Sequence, residues 1–405
     1  MGDSGHPGPC SGAPQRGGAP KREGDEKSAT PCGGWLDGPS IEPLRLDGNE
    51  AVVDLIDNVF ARSGFNARRL AEGAQLYKLM LDDGATVALT IAGAMTPIGM
   101  SGIFRSLIER GLVDFIISTG ANLYHDLHRA FDFPMVQGSP DVDDNALADA
   151  GVARIYDVFI SDDDTLMATD SVILEAARRL DSDQPFSTAK LHHKLGEVVL
   201  ERAQYPEKSF VAAATEYDVP IYTSAPGDSS IGMNLVIPEI FGKTVKLNPI
   251  LDVIETAAIV RYAERNGVVQ IGGGSPKNFY LQTQPTLHQI LLDKSKSGHD
   301  YFLQLTTDAP HWGGLSGATA SEARSWGKVQ DAHKNNVVVY SCASITFPLI
   351  AQYALVGCKP RPHRRLFTKL DEMTRKLRRS ACDNEALLQQ YEGVVDLPGK
   401  SQGRS

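Results

Sequence analysis

One stretch of this chain brings a carboxylate, an indole and an amine close together: Glu322, Trp326 and Lys328, in the run SEARSWGKVQ over 321–330. It follows a glycine-rich polar segment, His311-Trp312-Gly313-Gly314-Leu315-Ser316-Gly317. Together they form a long connection between two strand-like runs, the kind of loop that commonly carries function. An indole face attracts an ammonium. A lysine in an apolar pocket loses basicity, and its free amine can then form imines. The same residues also fit a lysine in solvent beside a packing tryptophan.

Such groups need a scaffold. Apolar, β-branched runs occur at 86–92, 113–118, 219–223, 267–271, 301–306 and 336–340, and helical patterns such as 101–110 and 249–265 alternate with them. That alternation predicts an α/β fold, a parallel sheet with helices on both faces. Apolar residues between Asn49 and Leu81 predict two helices broken around Ser63-Gly64, and 161–203 reads as a helical insertion between two strands. In a parallel sheet, ligands collect at the carboxyl ends of the strands. Here those ends run into Gly93, Ala94, Met95, Thr96 and Pro97; Thr119, Gly120, Ala121 and Asn122; Ser224 to Asp228; Gly272 to Gly274; and Thr307 with Asp308. Small residues let backbone amides approach a pyrophosphate. Each turn alone is ordinary strand-to-helix chemistry, and neither GxGxxG nor a Walker lysine is present. Five of them in one chain raise a nucleotide-like ligand to an open alternative.

The 405 residues, 42% of them hydrophobic, can bury a large core, in one α/β domain or two. A formal charge of −10 argues against nucleic acid as a partner, and no apolar run is long enough to span a membrane. Residues 1–39 are rich in Gly, Pro and Ser and are expected to form a disordered tail with neither a signal-peptide core nor a transit-peptide character. Cys10, Cys32, Cys342, Cys358 and Cys382 show no disulfide or CxxC spacing, so reduced thiols and a cytoplasmic location are expected. His192-His193 reads as a surface pair, and no metal site is expected. Residues 359–379 carry nine Lys/Arg against Asp371 and Glu372, with Leu366, Leu370, Met373 and Leu377 at helical spacing. They predict an amphipathic helix whose basic face is solvated or meets an acidic partner.

The sequence resembles the deoxyhypusine synthase family. SEARSWGKVQ is similar to the family's active-site segment, and the likeness continues through VVVYSCASITFPLIAQYAL (337–355), SGIFRSLIERGLVDFIISTGANLYHDL (101–127), GDSSIGMNL (227–235) and the Gly272–Gly274 turn. The resemblance implies a Rossmann-like fold over 40–358, followed by the C-terminal basic helix and tail over 359–405. It further implies NAD as cofactor and a homotetramer with sites shared between copies. The implied reaction moves an aminobutyl group from a polyamine-like donor, through an imine on Lys328, to an acceptor that is a small amine or a protein lysine. Positions matching the family's NAD contacts are Gly93, Ala94, Met95, Thr96, Pro97, Thr119, Gly120, Ala121, Asp228, Gly273, Thr307, Asp308, Cys342 and Ala343. Of these, Asp308 and Cys342 stand where the family has an alanine and an aspartate.

In the amine site, Lys328, Trp326, Glu322 and Gly313 agree with the family's pattern. Asn278 stands in place of a histidine, and His125, Met233 and Leu315 in place of carboxylates. A dry tunnel that takes up several ammonium groups needs carboxylates to replace water, so these changes imply a less cationic substrate. The alternative reading is an inactive NAD-binding paralogue that regulates or assembles with an active partner. For the tail, the expectation is that deleting residues 1–39 leaves the thermal midpoint unchanged, because the segment has little to bury. A calorimetric scan in which the truncated chain melts several degrees lower would place the boundary elsewhere.

Overall fold

The computed structural model describes residues 39–46, 48–180, 183–331 and 333–395. The tail expected over 1–39 therefore lies, but for its last residue, outside the described residues. The chain divides between Glu42 and Pro43. Before the division, residues 39–42 are exposed and without regular secondary structure, with Ser40 Oγ donating to Glu42 Oε1 at 2.8 Å. The description below concerns the residues after it.

Six strands form one parallel sheet. In chain order β1 is Thr86–Ile91 and β2 Phe115–Ser118. A separate antiparallel sheet of β3 (Met135–Gln137), β4 (Val152–Ile155) and β5 (Val158–Ser161) follows. The main sheet resumes with β6 (Ile221–Thr223), β7 (Asn266–Ile271), β8 (Tyr301–Thr306) and β9 (Asn336–Tyr340). Its spatial order is β6-β2-β1-β7-β8-β9. One register row runs Ile116, Leu89, Val269, Leu303, Val337. All five belong to one core, packed under helices Phe65–Asp82, Ser101–Glu109 and Ala343–Gly357. The adjacent row, Phe115, Ala88, Val268 and Phe302, belongs to a second core, under helices Pro249–Tyr262, Gly274–Pro285 and Leu370–Cys382. A strand turns successive side chains to opposite faces, so both faces must be apolar when both carry helices. The near-continuous hydrophobic runs of the sequence follow from that requirement.

The segment 161–203 is helical, as expected, with helices Ala168–Arg178 and Thr188–Arg202 between β2 and β6; the small β3-β5-β4 sheet ahead of it, whose short strands are half-exposed, was not foreseen. Two expectations need correction. The pair His192-His193 is not at the surface. His192 is buried with Nδ1 2.8 Å from the Ile221 carbonyl, and His193 stacks on Phe367 at 3.7 Å. The C-terminal helix begins only at Leu370, after a 3-10 turn at Phe367–Lys369, since Pro360 and Pro362 bar a helix through the stretch before it.

That stretch does not stand in solvent. Arg361 is threaded between the loops before β1 and β2. Its guanidinium donates to Asp114 Oδ2 at 2.8 Å, to the Gly111 carbonyl at 2.8 Å and to the Ala85 carbonyl at 2.9 Å. The same Asp114 oxygen accepts from Val87 N at 2.8 Å. Burial raises the Asp114 carboxyl above its usual range, against the pull of Arg361. Removing one partner of a buried pair strands the other charge, at a cost of about 3–5 kcal/mol. Arg361→Ala is accordingly expected to lower the unfolding free energy read from a urea titration by that margin, while Arg378→Ala, with its side chain exposed, shifts it little. Equal, small shifts in the two titrations would show that Arg361 holds nothing together.

Candidate active site

All six strands of the main sheet end on one edge, and three helices of eleven or more residues open there: Gly120–Ala130 after β2, Gly274–Pro285 after β7 and Ala343–Gly357 after β9. Their unsatisfied N–H groups make this edge attractive to anions. The turns are clipped together by side chains. Asn122, buried in the first turn of its helix, accepts from Met95 N at 3.0 Å and Thr96 N at 3.1 Å, and donates to the Gly93 carbonyl at 2.7 Å and Thr119 Oγ1 at 2.9 Å. Arg129 adds bonds to the Thr96 and Pro97 carbonyls at 2.9 and 2.7 Å. The β1 and β2 turns, with Ala94 and Ala121 among their small residues, are thus one rigid unit. Gly120 lets its helix approach the Asp228–Ser229 loop, because a Cβ there would run into the Ser229 side chain.

On the other side, Ser224 Oγ reaches Ser275 Oγ at 2.8 Å, tying the β6 turn to the β7 turn. Gly273 lies so close to Ser316 that a Cβ would come within 2.5 Å of its Cα, while Gly274 N donates to Ser316 Oγ at 2.8 Å. After β8, Thr307 and Asp308 lead into the long loop, with Asp308 N bonded to Thr306 Oγ1 at 3.0 Å. Cys342 caps the last helix, ahead of Ala343. Its exposed thiol lies 3.0 Å from Ser344 Oγ, which lowers its pKa.

The loop from β8 to β9 is built rather than loose. Gly313 takes a left-handed turn at φ 75°, and the short helix Ala320–Ser325 is capped by Thr319, which accepts from Glu322 N at 3.1 Å. Lys328 N returns to the Ala323 carbonyl at 2.9 Å, and the Lys328 carbonyl accepts from His299 N at 2.9 Å. The backbone of Lys328 is therefore held from both sides. Its half-buried ammonium donates to Asn278 Oδ1 at 3.1 Å and stands 5.7 Å from the centroid of the Trp326 ring. Burial lowers its pKa, and the nearby Glu322 carboxylate pulls it back up. Beside Asn278 lies a cavity of about 320 Å³, lined among others by Ser224, Ser275, Gln282, Thr286 and Leu315.

Lys328, Trp326, Asn278, Glu322 and Leu315 are thus brought together, with Gly313 in the same loop. His125 and Met233 lie elsewhere. His125 is on helix Gly120–Ala130, with Nδ1 2.9 Å from His128 Nε2, and Met233 sits on the short helix Ser230–Asn234, 63% exposed. Among the described residues no hydrogen bond, ion pair or ring contact joins the His125 group to the Lys328 group.

The roles of two residues of this edge were not read from the sequence. Asn122 was named there only as part of a strand-end turn, with no sign that it clips two turns together. Lys277 gave no signal. It is 1% exposed, yet its ammonium meets Gln304 Oε1 at 2.9 Å and the Ser316 and Ala318 carbonyls at 3.3 and 2.6 Å. Burial pushes it down to about 8; the charge of Lys328 adds to the depression, and Glu322 and Asp308 oppose it.

The sequence profile of deoxyhypusine synthase matches residues 54–354. A deoxyhypusine synthase-like protein of a Nostoc species is 43% identical over 351 residues, covering 84% of this chain and 91% of its own. The protein named "Probable deoxyhypusine synthase 2" in Methanosarcina acetivorans is 40% identical over 304 residues, covering 75% and 86%. A crystal structure from Entamoeba histolytica bearing the same enzyme's name superimposes with a TM-score of 0.51 at 17% identity, over 80% of this chain and 99% of that one. That likeness concerns the fold.

Lys277→Met would leave the oxygens around the buried ammonium without their donor, at about 1–3 kcal/mol for each that stays unsatisfied. The expected result is faster amide exchange through residues 313–328, with protection in β1 and β7 unchanged. Unaltered exchange in the loop would mean that Lys277 does not fasten it.

Proposed function

The chain belongs to the deoxyhypusine synthase family, and from that premise we propose that it transfers an alkylamine group, of aminobutyl type, from a polyamine-like donor to an acceptor amine through an imine on Lys328. The family's enzymes are transferases that take a polyamine donor and a protein acceptor. The observation that carries the reading is the state of Lys328: a half-buried amine of lowered pKa, fixed beside Asn278 and the Trp326 face, on the edge where three helix N-termini open. A depressed pKa leaves more of the amine unprotonated at neutral pH, and only that form attacks.

The strand-end edge supports NAD as the cofactor in this reading: three helix N-termini open on it, and Gly93, Gly272 and Gly274, at φ +80°, +70° and +55°, carry no side chain to block a close approach. The NAD-holding residues in this reading are Gly93 to Pro97, Thr119 to Ala121, Asp228, Gly273, Thr307, Asp308, Cys342 and Ala343. When bound, NAD supplies the oxidation of the donor's secondary amine and the later reduction of the product imine. The chain's own residues do the rest. Lys328 attacks the oxidised carbon, releasing the smaller amine, and the acceptor amine then displaces Lys328 by the same exchange. Trp326 offers its π face to the cationic group. Asn278 orients the Lys328 amine through its carbonyl oxygen, but an amide does not relay a proton, so that proton leaves through substrate or water.

The separation of His125 and Met233 from Lys328 supports a site completed by a second copy, in a homotetramer. The helices from Ser230 to Ile240 leave Met233, Val236, Ile237 and Ile240 exposed, and the adjoining Phe241 is 82% exposed, an apolar face that monomers rarely present. The acceptor in this reading is a small amine, with a protein lysine as the other outcome of the test.

The experiment is turnover with NAD and a panel of di- and triamines, read by mass spectrometry. Lys328→Ala is expected to abolish transfer while NAD binding and the thermal midpoint stay near wild type. Borohydride added during turnover is expected to leave an alkylamine adduct on the peptide containing Lys328. A Lys328→Ala protein that still transfers would overturn the mechanism, and NAD binding without any turnover would favour the inactive paralogue.

A further inference from the structure

Thr169 fixes the direction of a row of hydrogen bonds that ends at His125. Its hydroxyl lies 2.7 Å from the Thr165 carbonyl, and because a carbonyl only accepts, the single hydroxyl proton points there. The Thr169 oxygen is then left to accept from His128 Nδ1, 2.8 Å away, which places the His128 proton on Nδ1. His128 is fully buried, and burial, with the neighbouring His125 and Arg129, lowers its pKa to about 3, so the ring is neutral and Nε2 is bare. That lone pair must accept from His125 Nδ1 at 2.9 Å. His125 is neutral for the same reason, its pKa lowered to about 4 by burial and by Arg129. Its Nε2 is therefore an acceptor. It makes no hydrogen bond among the described residues, and the ring is only partly buried. Tyr124 packs edge-on against both rings, at 5.4 and 5.1 Å, and is itself anchored to the Leu166 carbonyl at 2.8 Å and Asp170 at 3.1 Å.

We propose that His125 selects the donor amine by accepting an N–H from its far end through Nε2, and that His128 and Thr169 are positioning residues that hold the tautomer able to do so. The inference rests on the reading above for the place of His125 in the amine site. A carboxylate at this point would offset the desolvation of a compact ammonium; a neutral lone pair takes the hydrogen bond but offers no countercharge. The terminus that suits it carries N–H groups with charge spread over a plane. A guanidinium meets that description, being planar, delocalised and more weakly hydrated than an ammonium. The exposed Met233 and Leu315 add no charge of their own.

The test uses the full-length protein with NAD bound. Ring-labelled 15N spectra, assigned through His125→Phe and His128→Phe, are expected to show both histidines as the Nδ1–H tautomer in the wild type. Adding agmatine is expected to move the His125 Nε2 resonance. Thr169→Val removes the acceptor for His128 and should raise KM for agmatine about tenfold, the equivalent of one hydrogen bond, with little change in kcat. Thr169→Ser keeps the hydroxyl and should restore KM. His125→Asp should shift preference from agmatine towards putrescine. A His125 that carries its proton on Nε2, or a wild type that prefers putrescine, overturns the proposal. If no amine is turned over, the functional reading above fails on its own. The agmatine-induced shift at His125 then decides this inference: a shift sustains it, and its absence sinks it.

Discussion

A buried ammonium must be surrounded by oxygen, and at Lys277 that requirement joins three parts of the chain. Gln304 belongs to β8, Ser316 and Ala318 to the long loop, and Lys277 to the helix that also carries Asn278. Stripped of water, the charge is stable only while all three stay in place, so the loop cannot lift off without exposing or stranding it. Gln304 extends the clamp by donating to the Gly272 and Ser316 carbonyls at 2.9 and 2.7 Å. Ser316 is in turn the residue against which Gly273 packs. Lys328 owes its place to this arrangement. The amine proposed to react is only half-buried, and the one that is fully buried is structural.

The two lysines also show how position sorts chemistry. Both are depressed by burial, and each feels Glu322 as an opposing influence. Lys277 has three oxygen partners and no open side. Lys328 has one amide oxygen, an indole nearby and access to the edge of the sheet. A nucleophile needs the second environment, since an amine that donates every proton to a neighbour has no freedom to attack.

Much of this was legible in the sequence, and the exceptions share a cause. The six strands of the main sheet declared themselves because helices pack on both faces of the sheet and keep the strands largely apolar. The strands of the small sheet did not, since half-exposed runs such as Val152–Ile155 differ little from loop. SWGK could be singled out as a candidate site because its groups lie next to one another in the chain, and the structure does bring Lys328, Trp326 and Asn278 together. The roles of Lys277, Asn122 and His128 were not legible, because their meaning comes from partners far off in sequence: Lys277 from Ala318, Asn122 from Gly93, His128 from Thr169. A lysine three residues past a glycine turn looks solvated until the loop that buries it is in view. The basic C-terminal run misled for the same reason, since nothing in its periodicity distinguishes Arg361, paired with a buried carboxylate, from its exposed neighbours.

That pairing bears on the order in which the protein is made. Asp114 sits just ahead of β2, one strand in from the β6 edge of the finished sheet, whereas Arg361 follows every strand of that sheet in the chain. While the polypeptide is being synthesised, the first strands emerge long before the guanidinium that neutralises the carboxylate beside them. A sheet that closed early would do so around an uncompensated charge, so the nascent domain gains its full stability only when its last tenth is released. A message truncated after β9 would yield a chain with every strand of the sheet and no Arg361 to meet the buried Asp114.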